Sequence, residues 1–229
     1  MIEFAVALGL FLAAHVVPTR PALRRRLAGT LGERVYLGLY SLLSILLLGW
    51  VIFAAIRAPY VELWPPAPWQ AIVSLAMMPL SLALLGAAVV QPNPLSVATA
   101  RGAFDTVRPG IVAVTRHPLL WGFALWGVAH LPPNGDVVSV VLFGAMTAFA
   151  GLGMWAVERR RRRELGPSRW AELAGATSVM PFAALANGRA GLPRDLRCWL
   201  GIAAGLGVYA LLVLGGHVWL FGVDPLGRL

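Results

Sequence analysis

The sequence contains no lysine and only one cysteine, Cys198. A single cysteine excludes an intramolecular disulfide and any zinc or iron–sulfur site built from several thiolates. Charged residues are also scarce, because they make up 13% of the 229 residues, whereas a soluble domain has about a quarter. The rest is mostly apolar, with 59% hydrophobic residues and a mean hydropathy of +0.74. This composition predicts a polytopic membrane protein that forms one domain over residues 1–229 and is embedded in the lipid bilayer.

The apolar residues fall into six stretches, each close to the ~20 helical residues that a hydrocarbon core of ~30 Å requires. We therefore predict an all-α transmembrane helical bundle of about six spans. The first stretch also has the length of a signal peptide, but its acidic start at Glu3 favours a retained helix. A short amphipathic helix is expected near Ser168–Ala174. Pro118 either lies inside the fourth span or opens its main part. The predicted spans are residues 2–17, 35–58, 70–90, 111–131, 137–157 and 199–223.

The arginines predict the topology of these spans. Of the 19 basic residues, 16 lie in the connections that follow the first, third and fifth spans, and Arg116 lies near the start of the fourth span on the same side. The positive-inside rule places these connections in the cytoplasm and both termini in the periplasm. We interpret the run Arg159–Arg163 as a topology determinant that also contacts anionic lipid, and a dedicated phosphate or nucleic-acid site is the alternative. Because the net charge of +9 lies between apolar spans, it does not indicate nucleic-acid binding.

The stretch from Thr115 to His130 is almost entirely apolar, yet Arg116 and His117 open it and His130 closes it. Ionisable groups in an apolar span indicate a functional site. His117 and His130 are 13 residues apart, which is roughly 20 Å along a continuous helix, so each needs a partner from another helix. The predicted topology places His15 at the depth of His117.

The remaining histidines are open to two interpretations. His15 is either a site residue or an interfacial residue at a helix end. The topology places His217 on the same side as His130, but its neighbour Trp219 favours an interfacial role. With one cysteine in the chain, the four histidines are the strong ligands left for a soft metal.

Facing imidazoles in a helical bundle commonly hold haem, because neutral imidazole is a good axial ligand and the bundle supplies an apolar slot. The sequence is therefore compatible with a haem, with His15, His117 and His130 as the candidate ligands. Trp121 and Trp126 would line a flat macrocycle, although both tryptophans could also face lipid. Arg116 could pair with a haem propionate or simply be a further cytoplasmic arginine.

Three segments resemble the NnrU family of bacterial membrane proteins, and the resemblance extends over essentially the whole chain. The first runs from Ala14 to Arg24, the second from Gly32 to Ser41, and the third from Thr115 to Asp136 with Arg-His-Pro and Trp-Gly-Val-Ala-His. The resemblance implies a multi-pass protein of the bacterial inner membrane that is linked to nitrite and nitric oxide metabolism. Nitric oxide or a lipophilic small molecule is then the expected partner.

The plastid relatives of this family, the zeta-carotene isomerases, are haem b proteins that isomerise a cis double bond in a redox-dependent way. By motif, the haem ligands that this resemblance implies fall on His15 and His130. The isomerase pattern has a cysteine where this chain has Gly127, so that thiolate ligand is absent here. Together the two resemblances imply either an isomerase-like enzyme or a nitric-oxide sensor, and the sequence leaves this choice open.

A more distant resemblance connects the chain to isoprenylcysteine carboxyl methyltransferases and phospholipid methyltransferases. Arg116, His117 and Pro118 enter a helix, and Glu158, Gly166, Trp170 and Pro181 follow. This resemblance implies S-adenosylmethionine as an alternative cofactor, bound near Arg116, His117 and Glu158. The paired glutamates of that pattern are reduced to Glu158 here. A third hypothesis is a non-enzymatic membrane regulatory or assembly factor, with structural histidines.

Overall fold

The computed structural model describes residues 1–18, 20–100, 102–227 and 229, and this part of the chain is helical apart from its connections. The only strand-like pairing within it is an isolated bridge between Glu62 and Asp136. The helices are α1 (Ile2–Val16), α2 (Pro21–Leu31), α3 (Glu33–Arg57), α4 (Pro68–Val90), α5 (Pro118–His130), α6 (Val137–Ala174), α7 (Ala183–Ala186), α8 (Leu196–Leu211) and α9 (His217–Phe221).

The predicted all-α transmembrane fold is confirmed. Four helical segments are long and apolar enough to cross a membrane, namely α3, α4, α6 and the continuous segment Leu196–Phe221, while α1 is a shorter apolar helix. A helix of 13 residues, the length of α5, measures roughly 20 Å. The count of six spans, the periplasmic termini and the single domain stay predictions.

The fourth predicted span begins later than residue 111, because a proline sets the start of the helix. Pro118 occupies the first turn of α5, a position that proline favours. The residue before a proline is disfavoured in the α region, and His117 has φ −120° and ψ 58°. Residues Gly110–Ala113 form a separate 3₁₀ turn. His117 therefore precedes the helix instead of lying on it.

Two other boundaries differ from the prediction. Helix α6 continues well past residue 157 and is interrupted at Gly166, where φ is +72°, before Pro167. The segment after this break contains the amphipathic helix expected near Ser168–Ala174. Helix α2 was not predicted, because its arginines made this segment resemble a polar connection between two spans.

The chain divides into two compact units, of which the first comprises residues 1–64 and 135–142. In this unit α1 packs on α3, and Trp50 Nε1 donates a hydrogen bond to Glu3 Oε1 at 3.3 Å. An apolar groove of about 490 Å³ follows α1 and is lined mainly by its side chains, including Phe4 and Leu8.

The second unit comprises residues 65–134 and 143–229, and α4 packs there on both α5 and α8. Glycines allow the close approach of α4 and α8, since a Cβ at Gly205 would collide with the backbone of Leu82. Ser81 Oγ donates to the Gly122 carbonyl at 2.8 Å and ties α4 to α5. The buried residues Ala87, Ile111, Val112 and Cys198 form a core cluster here.

Candidate functional site

A buried polar cluster lies where the Arg-His-Pro sequence enters α5. Arg116 is 7% exposed and His117 is fully buried. Both side chains reach Glu158 of α6: Arg116 Nη1 forms an ion pair with Oε1, and His117 Nε2 lies 3.1 Å from Oε2. The structure thus brings together Arg116, His117 and Glu158, which the sequence analysis grouped only as a possible S-adenosylmethionine site.

The guanidinium of Arg116 is held from several directions. Its Nε donates to Thr177 Oγ1 at 2.9 Å, and Nη2 donates to the carbonyls of Thr177 at 3.3 Å and Ala174 at 3.4 Å. Burial lowers the pKa of Arg116, and the carboxylate of Glu158 acts in the opposite direction. A haem propionate would therefore have to displace Glu158 in order to pair with Arg116.

His117 uses both ring nitrogens inside the protein. Nδ1 lies 2.7 Å from the hydroxyl of Ser96, which is fully buried, and Nε2 lies against Glu158. A metal bond to His117 would require one of these two hydrogen bonds to break. Its predicted role as a metal ligand stays a prediction with that added requirement.

Trp170 and Arg162 lie beside this cluster. The Arg116 guanidinium carbon lies 5.1 Å from the centre of the Trp170 ring, and the Arg162 guanidinium carbon lies at the same distance from it. Arg162 also donates to Glu158 Oε1 at 3.2 Å. The carboxylate of Glu158 thus binds the first segment of α6 to the residues before α5, and the cation–π contact of Arg116 with Trp170 binds the second segment. The cluster consequently connects α6 with the segment that precedes α5.

A second cluster, which we call the histidine–aromatic cluster, consists of Trp126, His130, Phe143, His217 and Phe221. His130 Nδ1 lies 2.7 Å from the Trp126 carbonyl. The His130 ring centre lies 5.1 Å from that of Trp126 and 4.9 Å from that of Phe143. Because a carbonyl only accepts, Nδ1 carries the proton and Nε2 carries the lone pair, which is the tautomer that binds metals through Nε2.

His217, the first residue of α9, also belongs to this cluster. Its ring centre lies 6.5 Å from that of His130, with 22° between the ring planes. Nδ1 of His217 lies 2.8 Å from the Val223 carbonyl, so its lone pair is also on Nε2. The sequence analysis favoured an interfacial role for His217 and did not predict this contact, although the predicted topology had placed His217 on the same side as His130.

The other predicted site residues are distributed as follows. His15 lies in the first unit, where Nδ1 is 2.8 Å from the Phe11 carbonyl and the ring centre is 5.9 Å from that of Tyr40. Trp121 packs near Met154 and donates from Nε1 to the Val179 carbonyl at 2.9 Å. Trp126 contacts His130. His117 and His130 remain at opposite ends of α5.

Gly127 stands where the isomerase pattern has a cysteine. A Cβ at this position would collide with Thr147 Oγ1 and come within 2.9 Å of the Phe143 carbonyl oxygen. Contact this tight leaves no room for a thiol between α5 and α6. Among the described residues, no three of the types His, Cys, Asp and Glu gather to hold a bare metal ion.

Comparison with known proteins agrees with this helical membrane architecture. The family model described as "NnrU protein" matches residues 3–225. The chain is 37% identical over 86 residues to the chloroplastic 15-cis-zeta-carotene isomerase of Zea mays and 35% identical over 86 residues to that of Arabidopsis thaliana. These matches cover 38% of this chain and 23% of each relative.

The chain thus spans about a quarter of the length of the curated relatives that it matches. No solved structure matches it significantly. The family match, by contrast, extends over nearly the whole chain and includes both compact units. This membrane protein belongs to the NnrU family.

Proposed function

We propose that this chain is a haem b-binding protein of the bacterial inner membrane that carries out redox-dependent isomerisation of a lipophilic substrate. The observation that carries the proposal is the environment of His130. This imidazole is fixed by the Trp126 carbonyl and flanked by the rings of Trp126 and Phe143. The partial sequence identity to the 15-cis-zeta-carotene isomerases also supports an isomerase-like function.

The residues around His130 fit the chemistry of a haem pocket. A neutral imidazole whose Nδ1–H is donated to a carbonyl is a more basic ligand through Nε2 and has a fixed ring orientation. Trp126 and Phe143 supply apolar ring surface, which excludes water from a macrocycle. When bound, haem b would supply an iron that changes oxidation state, and the apolar surroundings would tune its potential.

The protein's own contribution is binding and orientation. Helix α5 presents His130 at its last residue, and the Trp126 carbonyl one turn earlier holds the ring. A polyene or similarly apolar substrate would reach such a site from the bilayer, where the long apolar helices stand. A sensor of nitric oxide, the other prediction from the family, needs an iron with one open position.

The experiment is a visible absorption spectrum of the purified protein in mild detergent, oxidised and then reduced, with a pyridine haemochrome assay. We expect b-type bands at about one haem per chain in wild type, and at about a tenth of that in His130→Ala. Tyr209→Phe in α8 is the control and should keep its haem. A colourless protein from haem-replete cells would contradict the proposal.

A second candidate function is methyl transfer from S-adenosylmethionine. The observation that favours it is the meeting of Arg116, His117 and Glu158 in one cluster. Their bonds to each other and to Ser96 and Thr177 instead support a structural role. Isothermal titration with S-adenosylmethionine and with its demethylated product tests this candidate. The absence of binding heat with both compounds would exclude it.

A further inference from the structure

Three arginine side chains converge near Trp170 and the Thr177 carbonyl, within the second unit. The guanidinium carbons of Arg116 and Arg162 each lie 5.1 Å from the centre of the Trp170 ring. Arg189 Nη1 donates to the Thr177 carbonyl at 3.0 Å, and Arg116 Nη2 donates to the same oxygen at 3.3 Å. The side chains before α5, on α6 and after α7 thus place three positive charges in one region.

This region carries more positive than negative charge. Glu158 pairs with both Arg116 and Arg162, while Arg189 forms no ion pair within the residues that the structure describes. With His117 neutral, three guanidinium charges and one carboxylate charge leave a net charge of +2. Burial lowers the pKa of Arg116, and the charges of Arg162 and Arg189 lower it further. Because like charges repel each other, a bound anion would stabilise this group of arginines.

Arg189 keeps one edge of its guanidinium free for such an anion. Its Nη1 donates to the carbonyls of Gly175 and Thr177, each at 3.0 Å. Its Nε and Nη2 have no partner within the described part of the chain. These two N–H groups point in the same direction and match two oxygens of one phosphate group. The side chain of Arg162, which is 60% exposed, adds a second accessible charge beside Trp170.

A tight turn fixes the backbone from which Arg189 extends. Gly188 follows α7 with φ +65°, a conformation that favours glycine just after the end of a helix. The Arg189 amide donates to the Ala184 carbonyl at 2.9 Å, and the Gly188 amide donates to the Leu185 carbonyl at 3.0 Å. The position of the exposed Arg189 side chain is therefore set by its own turn and by the carbonyls that Nη1 contacts.

The first segment of α6 leads from an apolar span to these arginines. Trp155 is exposed, and the guanidinium carbon of Arg159 lies 5.5 Å from the centre of its ring. Arg159 and Arg162 follow Trp155 by four and seven residues, so the three side chains share one helical face. An exposed tryptophan followed by arginines is typical of the boundary between hydrocarbon and lipid headgroups. We therefore expect the arginines at the depth of the lipid phosphates.

The loop after Thr177 exposes apolar side chains close to the same arginines. Met180 and Phe182 are both more than half exposed. Phe182 has φ +64° and is the one residue other than glycine with a positive φ in the described ranges. Bulky residues rarely adopt this strained conformation, yet the Phe182 amide is held by the Val114 carbonyl at 2.8 Å. Apolar side chains held outwards beside cationic groups fit contact with lipid acyl chains.

We propose that Arg162 and Arg189 bind the phosphate group of an anionic membrane lipid, with Met180 and Phe182 against its acyl chains. The free edge of Arg189 supplies two parallel hydrogen bonds, and Arg162 neutralises the remaining charge. This lipid site lies at the end of α5 opposite to His130 and does not depend on haem binding.

The site is more specific than an attraction of the whole run Arg159–Arg163 to lipid. Arg160 and Arg161 both pair with Glu164 of the same helix, so much of their charge is already compensated. Arg162 instead lies beside Trp170. Variants within one run of arginines can therefore separate a built site from general charge attraction.

The test measures by native mass spectrometry how much phosphatidylglycerol stays bound to the purified protein in mild detergent, with phosphatidylcholine as the zwitterionic reference. We expect wild type to retain about tenfold more of the anionic lipid, and Arg162→Gln and Arg189→Gln each to lose about tenfold of that retention. Arg161→Gln removes the same charge from α6 and is the matched control, which should stay within about twofold of wild type. Equal losses in all three variants, or equal retention of the two lipids by wild type, would overturn the proposal.

Two further measurements separate the lipid from a free phosphate compound and from a structural effect. Inorganic phosphate and glycerol phosphate should leave the bound phosphatidylglycerol in place, and its displacement by either compound at equal concentration would overturn the assignment to a lipid. Phe182→Gly relieves the strained backbone, so we expect an unchanged or higher unfolding temperature together with about threefold weaker lipid retention. A lower unfolding temperature with wild-type retention would show that Phe182 serves packing and would overturn its role in lipid binding.

Discussion

His117 Nε2 lies 3.1 Å from Glu158 Oε2, and the other oxygen of the same carboxylate pairs with Arg116. One acidic side chain from α6 thus serves two neighbouring residues that precede α5. The side chains of Arg116, His117 and Glu158 are 9%, 0% and 15% exposed. These buried groups form their hydrogen bonds and ion pairs with each other and with a few polar neighbours. We therefore expect the cluster to contribute strongly to the stability of the second unit.

Glu158→Gln should destabilise the folded protein by about 3 kcal/mol, because it leaves the buried Arg116 charge without its partner. Thermal unfolding in mild detergent measures this change. Glu164→Gln is the matched control: Glu164 lies on the same helix and pairs with Arg161, but its side chain is 49% exposed. An exposed pair contributes about 1 kcal/mol or less. Equal shifts in the two variants would contradict a structural role for the cluster.

Ser96→Ala should cost about 1–3 kcal/mol of stability, because it leaves Nδ1 of a fully buried histidine without its hydrogen-bond partner. Ser96 and His117 are both fully buried, and their polar atoms are 2.7 Å apart. The variant Thr99→Ala provides a comparison, since Thr99 lies three residues later and its hydroxyl bonds in an exposed position. If both variants unfold at the wild-type temperature, the hydrogen bond to His117 carries little stability.

Gly205→Ala should be destabilising by about 2 kcal/mol, because the added methyl group meets the backbone of α4 and forces α4 and α8 apart. The overlap is with the Leu82 carbonyl. A Cβ added at Gly207, on the same helix, would have no described atom within 4 Å. Gly207→Ala should therefore be neutral or stabilising by up to ~1 kcal/mol. Unfolding curves of the two variants test this difference in stability. Equal stabilities would show that α4 and α8 do not approach closely at Gly205.

Gly127→Cys should not create a thiolate ligand. The cysteine side chain would collide with Thr147 and the Phe143 carbonyl, so we expect a loss of about 1–3 kcal/mol in stability. The absorption spectrum of any bound haem should keep the wild-type pattern in the fraction that folds. A spectrum typical of thiolate ligation would show that α5 and α6 separate readily at this position.

The sequence was informative wherever a local rule sets the structure. The apolar stretches located the starts of the long helices to within a few residues, because hydropathy follows from composition alone, whereas α6 continues well past its predicted end. The predicted span began at residue 111, but the alternative that Pro118 opens the main part of the helix is confirmed.

The site was predicted less completely. Arg116, His117 and His130 stood out because ionisable residues are rare in apolar segments. Their partners could not be found in this way, since Ser96 and Thr177 are ordinary residues of polar connections. Glu158 lies 41 residues from His117, and only its place in a methyltransferase-like pattern drew attention to it.

By itself, the amino-acid sequence determined that this protein is an all-helical membrane protein, because scarce charge and long apolar runs leave few other solutions. The motifs also determined its family. Only the tertiary structure decided that Arg116 and His117 share Glu158, and that His217 lies beside His130. Those pairings depend on how helices pack and on the π-helical turn Leu212–Gly216 that precedes His217, and neither of these is encoded in a short local pattern.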